Sequence, residues 1–404
     1  MNLFLVCFTS GASFLLSFLL FFHPLQQNVK ANRWLGFFVF TISCAFTGIY
    51  MIKTETDISD SCLFKCLNSV QFLLAPSFFI SILYFVKPAK RWRKADWLHF
   101  IPFIIYVYAE NIWQFGKESI STISLFAINK NVSFLVRDIL PFLTLFYLVK
   151  SYIVLIRHKA NLKLVSSSID QINLDWLVQF LFILSLTVII WINDALFELP
   201  LLTEATPFVY AGAIFFLAWF SIKQKTIFAF KEKDIGEISD ILEIENHKTE
   251  MKESSFAKAA KDEDSKKDDI EVLLETKTGK SKQKRFSEEQ IADLSGKLLS
   301  LMESEKLFLD NDLTLPTVAE RLGISIHETS FLINETTKDN FYNFINKYRI
   351  DEAKKLLTSS KMDELNILGI AFASGFNSKT TFNTAFKKWV GVSPTNYVKK
   401  RKNQ

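Results

Sequence analysis

Residues able to do chemistry are sparse in this sequence of 404 residues, which contains five His and four Cys. Cys62 and Cys66 are four residues apart, so on a helix they could face one another. A structural zinc site needs four Cys or His ligands, and no His lies near this pair. We therefore interpret the cysteines as small apolar side chains. The sequence also lacks a nucleophile motif and a phosphate-binding glycine loop. We therefore expect a protein that is not an enzyme and that binds no cofactor or metal.

Six polar residues in or beside apolar stretches are candidates for an outward-facing ligand pocket. Ionisable groups within a membrane helix are expensive and often mark a site. Most of the six lie near the outer end of a predicted helix, where snorkelling or pairing at the helix end is the alternative explanation. The candidates are Glu110, Asn111, Arg137, Asp138, Asn193 and Asp194.

Phe-rich apolar runs fill the chain up to about residue 222; overall, 49% of residues are hydrophobic and Phe occurs 41 times. A bilayer core about 30 Å thick requires about 20 mostly apolar residues per helix. The first stretch lacks a basic leading region and a small-residue cleavage site, so we interpret it as a retained span. Seven spans are predicted, at about 3–22, 34–52, 67–86, 97–115, 138–156, 174–196 and 207–222.

Basic residues concentrate in alternate connections between these spans. The positive-inside rule places such connections in the cytoplasm. It therefore predicts a multi-pass protein of a bacterial inner membrane, with the N-terminus outside and residue 223 onward in the cytoplasm. The residues that set this pattern are Lys30, Arg33, Lys87, Lys90, Arg91, Arg93, Lys94, Arg157, Lys159, Lys163, Lys223 and Lys225.

Charges of both signs crowd between about residues 231 and 285, where apolar periodicity fades. Such a stretch cannot bury enough apolar surface to offset its ordering entropy, so we predict a flexible linker. Within it, five apolar residues are spaced like an amphipathic turn and a half. They could form a juxtamembrane helix, a weak pairing seam or a frayed extension of the last span; they are Ile235, Ile238, Ile241, Leu242 and Ile244.

Past residue 286 helical periodicity returns, and a pattern of helix, glycine turn and capped helix occurs twice. In the first copy Gly323 ends a short helix and Ser325 caps the next one. In the second copy Gly375 and Ser378 take these two roles. A helix over about 341–358, with Arg349 on its polar side, joins the copies. Two such patterns joined by a helix predict paired helix-turn-helix units.

Four stretches of the last third form a set of motifs, and with them about residues 285–402 resemble the DNA-binding domain of the AraC/XylS family of transcription activators. Joined to a multi-span half, the layout looks like that of membrane-bound AraC-type regulators. The stretches read Leu315-x-x-Val-Ala-x-x-Leu-Gly-Ile-Ser325, Phe341-x-x-Phe-Ile-x-x-Tyr-Arg-Ile-x-x-Ala-Lys-x-Leu-Leu357, Ile367-x-x-Ile-Ala-x-x-x-Gly-Phe-x-Ser378 and Phe382-x-x-x-Phe-Lys-Lys-x-x-Gly-Val-Ser-Pro-Thr-x-Tyr397.

The resemblance implies two recognition helices in successive major grooves of double-stranded DNA. The implied base contacts are Lys379, Thr380, Asn383 and Thr384 in the second unit, and His327 and Ser330 in the first. The implied phosphate contacts are Ser325, Ser378, Lys387, Lys388 and Arg349.

The first unit departs from the family pattern at three positions. Phe331 stands where a polar reader is usual, and Thr329 where a core Leu is usual. Lys338 replaces the Gly that commonly ends this helix. We therefore expect the first unit to read DNA weakly or to pack against a partner.

Charge divides the C-terminal part in the same way. Residues 338–402 contain thirteen basic and five acidic residues, a net charge of +8, whereas residues 286–337 contain three basic and ten acidic ones, a net charge of −7. Phosphate neutralisation is thus expected mainly from the second unit, and DNA affinity should fall steeply as salt rises.

Together these patterns predict an all-α protein with three parts: a seven-helix transmembrane sensor domain (1–225), a charged flexible linker (226–285) and an AraC-type DNA-binding domain (286–404). The predicted function is a membrane-anchored one-component transcription regulator. Its expected partners are promoter DNA, membrane lipid, RNA polymerase, an unknown signal ligand and a second copy of the chain. The alternative is a transporter or receptor whose C-terminal helices are a regulatory or protein-binding module.

Overall fold

The structure, a computed structural model, is mostly helical in the part of the chain that it describes. Among the described residues there is no strand, only an isolated antiparallel bridge between Ser166 and Thr314. The predicted all-α fold is confirmed. The described residues are 2–22, 28–54, 62–88, 90–108, 139–169, 174–197, 199–224, 234, 236–238, 240–242, 286–359 and 364–402.

The chain divides into two compact units. The first comprises Met1–His158 and Leu174–Ile227, and the second comprises Lys159–Asn173 and Phe228–Gln404. A connection between two predicted membrane spans, at 159–173, is thus part of the same unit as the C-terminal helices.

The first unit is built from long apolar helices. They are α1 (Leu3–Phe21), α2 (Val29–Lys53), α3 (Cys62–Val70), α4 (Leu74–Val86), α5 (Leu140–Val165, whose last residues belong to the second unit), α6 (Asp175–Leu196) and α7 (Pro200–Lys223), with 3-10 turns at Gln71–Leu73 and Lys94–Phe100.

Six helices in the described part of the chain are long and apolar enough to cross a membrane, compared with the seven predicted. They are Leu3–Phe21, Val29–Lys53, Leu63–Val86, Leu140–Val165, Asp175–Asn193 and Pro200–Ser221. The remaining prediction, at 97–115, begins in a helical stretch that reaches residue 108 and continues into residues outside the described part.

Two helices extend beyond the spans predicted for them. The span predicted at 138–156 belongs to a helix that continues to Val165 through Arg157, Lys159 and Lys163, because basic side chains do not end a helix. The last span was predicted to begin at 207, but α7 begins at Pro200 and contains Pro207 in its interior. Thr9 Oγ1 donates a hydrogen bond to the Pro207 carbonyl at 3.5 Å, which links α1 to this part of α7.

Small and hydroxyl-bearing residues pack α1 against α2. The Ser10 and Thr47 hydroxyls are 2.8 Å apart, and the Ser43 hydroxyl donates to the Ser10 carbonyl at 2.9 Å. A Cβ added to Gly36 would lie 3.0 Å from the Ser17 carbonyl oxygen. Such close backbone approach and hydroxyl bonding are how helices associate where the solvent is itself apolar.

The second unit contains the helices predicted for the two helix-turn-helix units. They are α8 (Glu288–Glu303), α9 (Leu315–Leu322), α10 (Ile326–Thr337), α11 (Phe341–Leu357), α12 (Ile367–Ala373), α13 (Lys379–Val390) and α14 (Pro394–Lys402), with a 3-10 turn at Leu307–Leu309. Gly323 ends α9 with φ +72°, and Gly375 follows α12 with φ +89°. Glycine adopts this left-handed conformation without the penalty that a Cβ brings.

Two apolar cores lie in the second unit, and α11 contributes to both. Its first half places Phe341, Phe344 and Ile345 in a core with α8, α9 and α10. Its second half places Ile350, Ala353 and Leu357 in a core with α12 and α13. The helix predicted to join the two units therefore supplies part of each core.

Candidate nucleic-acid interface

The second recognition helix, α13, is anchored by its buried face. The Ser378 hydroxyl accepts a hydrogen bond of 3.1 Å from the Thr381 backbone N–H and so caps the helix. Phe382, Ala385 and Phe386 are buried in the second core. This burial fixes which side of α13 faces outward.

The outward side of α13 carries the four predicted base contacts. Lys379, Thr380, Asn383 and Thr384 are all exposed, and residues three or four positions apart are neighbours on a helix face. A Lys side chain on such a face can donate to guanine, and an Asn side chain can bond adenine at two atoms. The structure therefore brings these four side chains together on one exposed surface.

Two basic residues extend this surface at the end of α13. Lys387 and Lys388 are both exposed. Lys388 Nζ donates to Asn343 Oδ1 at 2.9 Å and lies 4.5 Å from the centre of the Trp389 ring. Since these contacts would compete with a phosphate, Lys387 is the stronger candidate of the two for a phosphate contact.

The first recognition helix, α10, presents a different surface. His327 and Ser330, its predicted base contacts, are half-buried, and Phe331 is 39% exposed. The Ser325 hydroxyl accepts a hydrogen bond of 3.2 Å from the Glu328 N–H and donates one of 2.7 Å to the Glu328 carboxylate. The hydroxyl of Ser325, a predicted phosphate contact, is thus engaged in a capping box.

The unusual residues of α10 are accommodated locally. Thr329 is fully buried, and its hydroxyl donates to the Ser325 carbonyl at 2.9 Å, so this buried donor has a partner. Lys338 ends the helix with φ +55°. Outside glycine this conformation costs about 1–2 kcal/mol, so the turn after α10 is strained relative to the glycine-ended one after α9.

The prediction that Arg349 contacts phosphate is wrong. Arg349 has 0% of its surface exposed. Its guanidinium donates to the carbonyls of Phe308 at 2.8 Å and Asp310 at 2.6 Å. Burial lowers its pKa to about 10, which still leaves the group protonated near neutral pH. Because α11 is enclosed between two cores, a position that a helical wheel assigns to the polar side lies in the interior.

Arg349 also binds a residue that the sequence did not single out. Its guanidinium donates to the Ser167 hydroxyl at 3.0 Å and to the Ser167 carbonyl at 3.2 Å. Ser167 in turn donates from its backbone N–H and from its hydroxyl to the Leu313 carbonyl, at 3.1 and 2.7 Å. Three consecutive serines after a basic helix end carry no signal of this role.

The isoleucine-rich segment of the predicted linker also belongs to this unit. Its described residues, 234, 236–238 and 240–242, are helical. Ile238 and Ile241 are buried in the first core and Leu242 packs against it, whereas Ile235 and Ile244 lie outside the described part. The spacing correctly indicated an amphipathic turn, but its apolar face covers the C-terminal helices of the same chain.

The predicted ligand-pocket residues are not brought together in the described part of the chain. Glu110, Asn111, Arg137 and Asp138 lie outside it, as does the Asp194 side chain. The Asn193 amide donates to the Leu199 carbonyl at 3.2 Å and accepts from the Leu199 N–H at 3.3 Å. Asn193 thus holds the turn between α6 and α7.

Comparison with known proteins matches this second unit. A family described as a helix-turn-helix domain matches residues 318–400. The chain is 30% identical to the melibiose operon regulatory protein of Escherichia coli over 90 residues, which are 22% of this chain and 29% of that protein. It is 32% identical to an uncharacterised HTH-type transcriptional regulator of Pseudoalteromonas carrageenovora, over 22% of this chain and 49% of that one.

A solved structure is also similar to part of this chain: the C-terminal domain of AraT, a response regulator from Geobacillus stearothermophilus. It is 34% identical, covering 29% of this chain and 88% of its own, with a TM-score of 0.24. The chain spans less than half the length of the two regulators above. The motifs, the paired capped helices and the family match over residues 318–400 identify the last third of the chain as an AraC-type helix-turn-helix domain.

Proposed function

We propose that this protein is a membrane-anchored one-component transcription regulator that binds promoter DNA sequence-specifically. The observation that carries the proposal is the exposed row on α13, formed by Lys379, Thr380, Asn383 and Thr384 over a buried aromatic core. Sequence is read by donors and acceptors that reach base edges, and this row supplies both.

The proposed anchor is the set of long apolar helices in the first unit. Their outer faces expose large apolar side chains, such as Phe142 and Phe182, as lipid contact requires and water disfavours. In this proposal they also form the sensor for an unknown signal ligand. Promoter DNA, membrane lipid, RNA polymerase and a second copy of the chain are the proposed partners.

The contact between Ser167 and Leu313 supports the proposed orientation. Residues that touch one another lie on the same side of a membrane, so the connection at 159–173 and the helix-turn-helix units share a compartment. Arg157, Lys159 and Lys163, in or beside this connection, are basic. Basic residues favour a cytoplasmic location for a connection between membrane helices. A domain that binds promoter DNA must be in that compartment.

The proposal is tested with the full-length protein in lipid nanodiscs, by selecting bound duplexes from a random pool and measuring their affinity. We expect a defined sequence motif, lost or relaxed at one base pair in Asn383→Ala and unchanged in Lys297→Ala, a basic residue on α8. Selection of no motif at moderate salt, with binding equal to that of random duplex, would contradict the proposal.

A further inference from the structure

Two segments that connect directly to membrane helices pack on the first helix-turn-helix unit. Val165, the last residue of α5, is buried in the first core together with Ile238 and Ile241, which follow α7 in the chain. Ser167, just beyond α5, has no exposed surface and is held by Leu313 and Arg349. The core of the first helix-turn-helix unit is thus completed by residues that lie outside the helix-turn-helix pattern.

The second of these segments also reaches the start of the first recognition helix. Glu237 Oε2 accepts a hydrogen bond of 3.0 Å from the Ile326 backbone N–H, the first residue of α10. The adjacent Ser325 N–H donates to the Glu328 carboxylate at 2.9 Å, and the Glu328 N–H donates to Ser325. These three N–H groups at the beginning of α10 all have acceptors within the chain.

Backbone N–H groups at the start of a helix are a favourable place for an anion, and DNA-binding proteins use them to hold phosphate oxygens. Ser325, which caps α10, is the position expected to contact phosphate. The Glu237 carboxylate accepts from the N–H of the next residue, Ile326, and brings a negative charge to the start of α10. Glu237 and a DNA phosphate cannot both occupy it.

We propose that the juxtamembrane segment around Glu237 is an internal competitor of DNA at the first recognition helix, so that full DNA binding requires this segment to leave. The inference rests on the proposed function, since it presupposes DNA binding by α10 and α13. It deepens that function by naming the contact through which the membrane helices regulate the domain.

With this competition, α13 is always available to bind DNA, whereas DNA binding by α10 is regulated. In the docked state α13 keeps its exposed row, while the start of α10 is covered by an acidic side chain. A signal that moves α5 or α7 would pull on Ser167 or on the segment after α7 through the chain itself. Release of the segment around Glu237 exposes the start of α10. The phosphate contacts of the first helix-turn-helix unit are then added to those of the second.

The test compares the full-length protein with Glu237→Ala and with Asp240→Ala, a matched control that removes the same charge from an exposed position of the same segment. On a duplex selected by the wild-type protein, we expect Glu237→Ala to bind about fivefold more tightly or better, within the usual range of coupling between sites. Asp240→Ala should stay within about twofold. Glu237→Gln, which keeps the size and removes the charge, should move in the same direction as Glu237→Ala.

Hydrogen exchange supplies a second readout that does not depend on affinity. In Glu237→Ala without DNA, N–H exchange at 326–328 should increase; in the wild-type protein, adding DNA should increase exchange at 236–242. Unchanged affinity of Glu237→Ala, or full protection of 236–242 in the DNA complex, would overturn this inference and leave the proposed function intact. If the wild-type protein retains no specific duplex, the proposed function fails and the inference falls with it.

Discussion

The first recognition helix begins under a bound carboxylate and carries Phe331 on its surface, whereas the second begins at Lys379 and carries an open row of donors and acceptors. Both helices start at a capping serine, and both follow a short helix that ends at a left-handed glycine. The two units thus share their local construction and differ in what surrounds it. The comparison teaches that helix-turn-helix geometry and DNA-reading capacity are set by different residues of the same helices.

Charge widens the difference between the units. The part of the chain that holds α8 to α10 has a net charge of −7, and the part from 338 to 402 has +8. Binding to phosphates is driven by release of counterions around basic residues, so the second unit should dominate affinity. The first unit should contribute selectivity and regulation.

The largest effect is expected from Arg349, which lies on α11, the helix that contributes to the cores of both helix-turn-helix units. Replacing it by Ala leaves the carbonyls of Phe308 and Asp310 without their donor, and removes the tie to Ser167. A buried acceptor that loses its donor costs about 1–3 kcal/mol, so loss of both carbonyl partners should cost about 3–5 kcal/mol. Hydrogen exchange of α11 peptides measures this as a lower free energy of opening. Lys347→Ala, on the exposed side of the same helix, is the control and should change it by less than about 0.5 kcal/mol.

Substitutions of the two turn glycines, Gly375 and Gly323, are expected to have the next largest effect. They test the two helix-turn-helix units separately. A Cβ on Gly375 would lie 2.5 Å from the Phe308 carbonyl oxygen and 2.9 Å from the Leu309 Cα, so Gly375→Ala combines left-handed strain with overpacking. We expect a loss of about 3 kcal/mol in the free energy of opening, measured by hydrogen exchange of α13.

Gly323 has φ +72° but no atom within 4 Å of an added Cβ, so Gly323→Ala should cost only about 1–2 kcal/mol, measured on α9 and α10. Equal losses for the two variants would show that Gly375 does not pack against the 308–309 backbone as described.

Base reading is expected to differ between the units by a smaller amount. Asn383→Ala removes an exposed bidentate group from α13 and should weaken binding to the selected duplex about tenfold, with relaxed preference at one base pair. Ser330→Ala, on the half-buried face of α10, should weaken binding less than about threefold in the docked protein. Fluorescence anisotropy on duplexes with single base changes measures both. A larger effect for Ser330→Ala would reverse the assignment of the dominant reader.

The smallest effect concerns salt. Lys387→Ala removes one predicted phosphate contact and should lower the slope of log affinity against log salt by about 1. Lys297→Ala, which removes an exposed lysine paired with Asp293 in the acidic part, should leave the slope unchanged. Titrations at several salt concentrations decide the matter, and an unchanged slope for Lys387→Ala would remove this residue from the interface.

Local pattern was sufficient for the helices of the second unit. Ser378 caps α13 as predicted, because capping is a short-range effect that the sequence displays directly. The apolar spans were found for a similar reason, since about 20 apolar residues in a row have few other uses. Two ends of apolar helices were not predicted: α5 continues to Val165, and α7 begins at Pro200, where the proline in the first turn is itself a start signal.

Long-range contacts were beyond the reach of those patterns. Nothing near Ser167 in the sequence indicates Leu313 or Arg349, and nothing near Glu237 indicates Ile326. The spacing of Ile238 and Ile241 predicted an apolar face without saying what would cover it. Arg349 was assigned to a polar surface because a helical wheel holds no information about a second core on the other side.

The sequence alone therefore determined the all-α class, the apolar spans and the paired capped helices, all of which follow from interactions among residues a few positions apart. Only the tertiary structure decided which residues complete the first core, which cation is enclosed and which carboxylate lies at the start of α10. Those outcomes depend on how separate parts of the chain fill shared space, and the free energy of such packing is not written in any single stretch of residues.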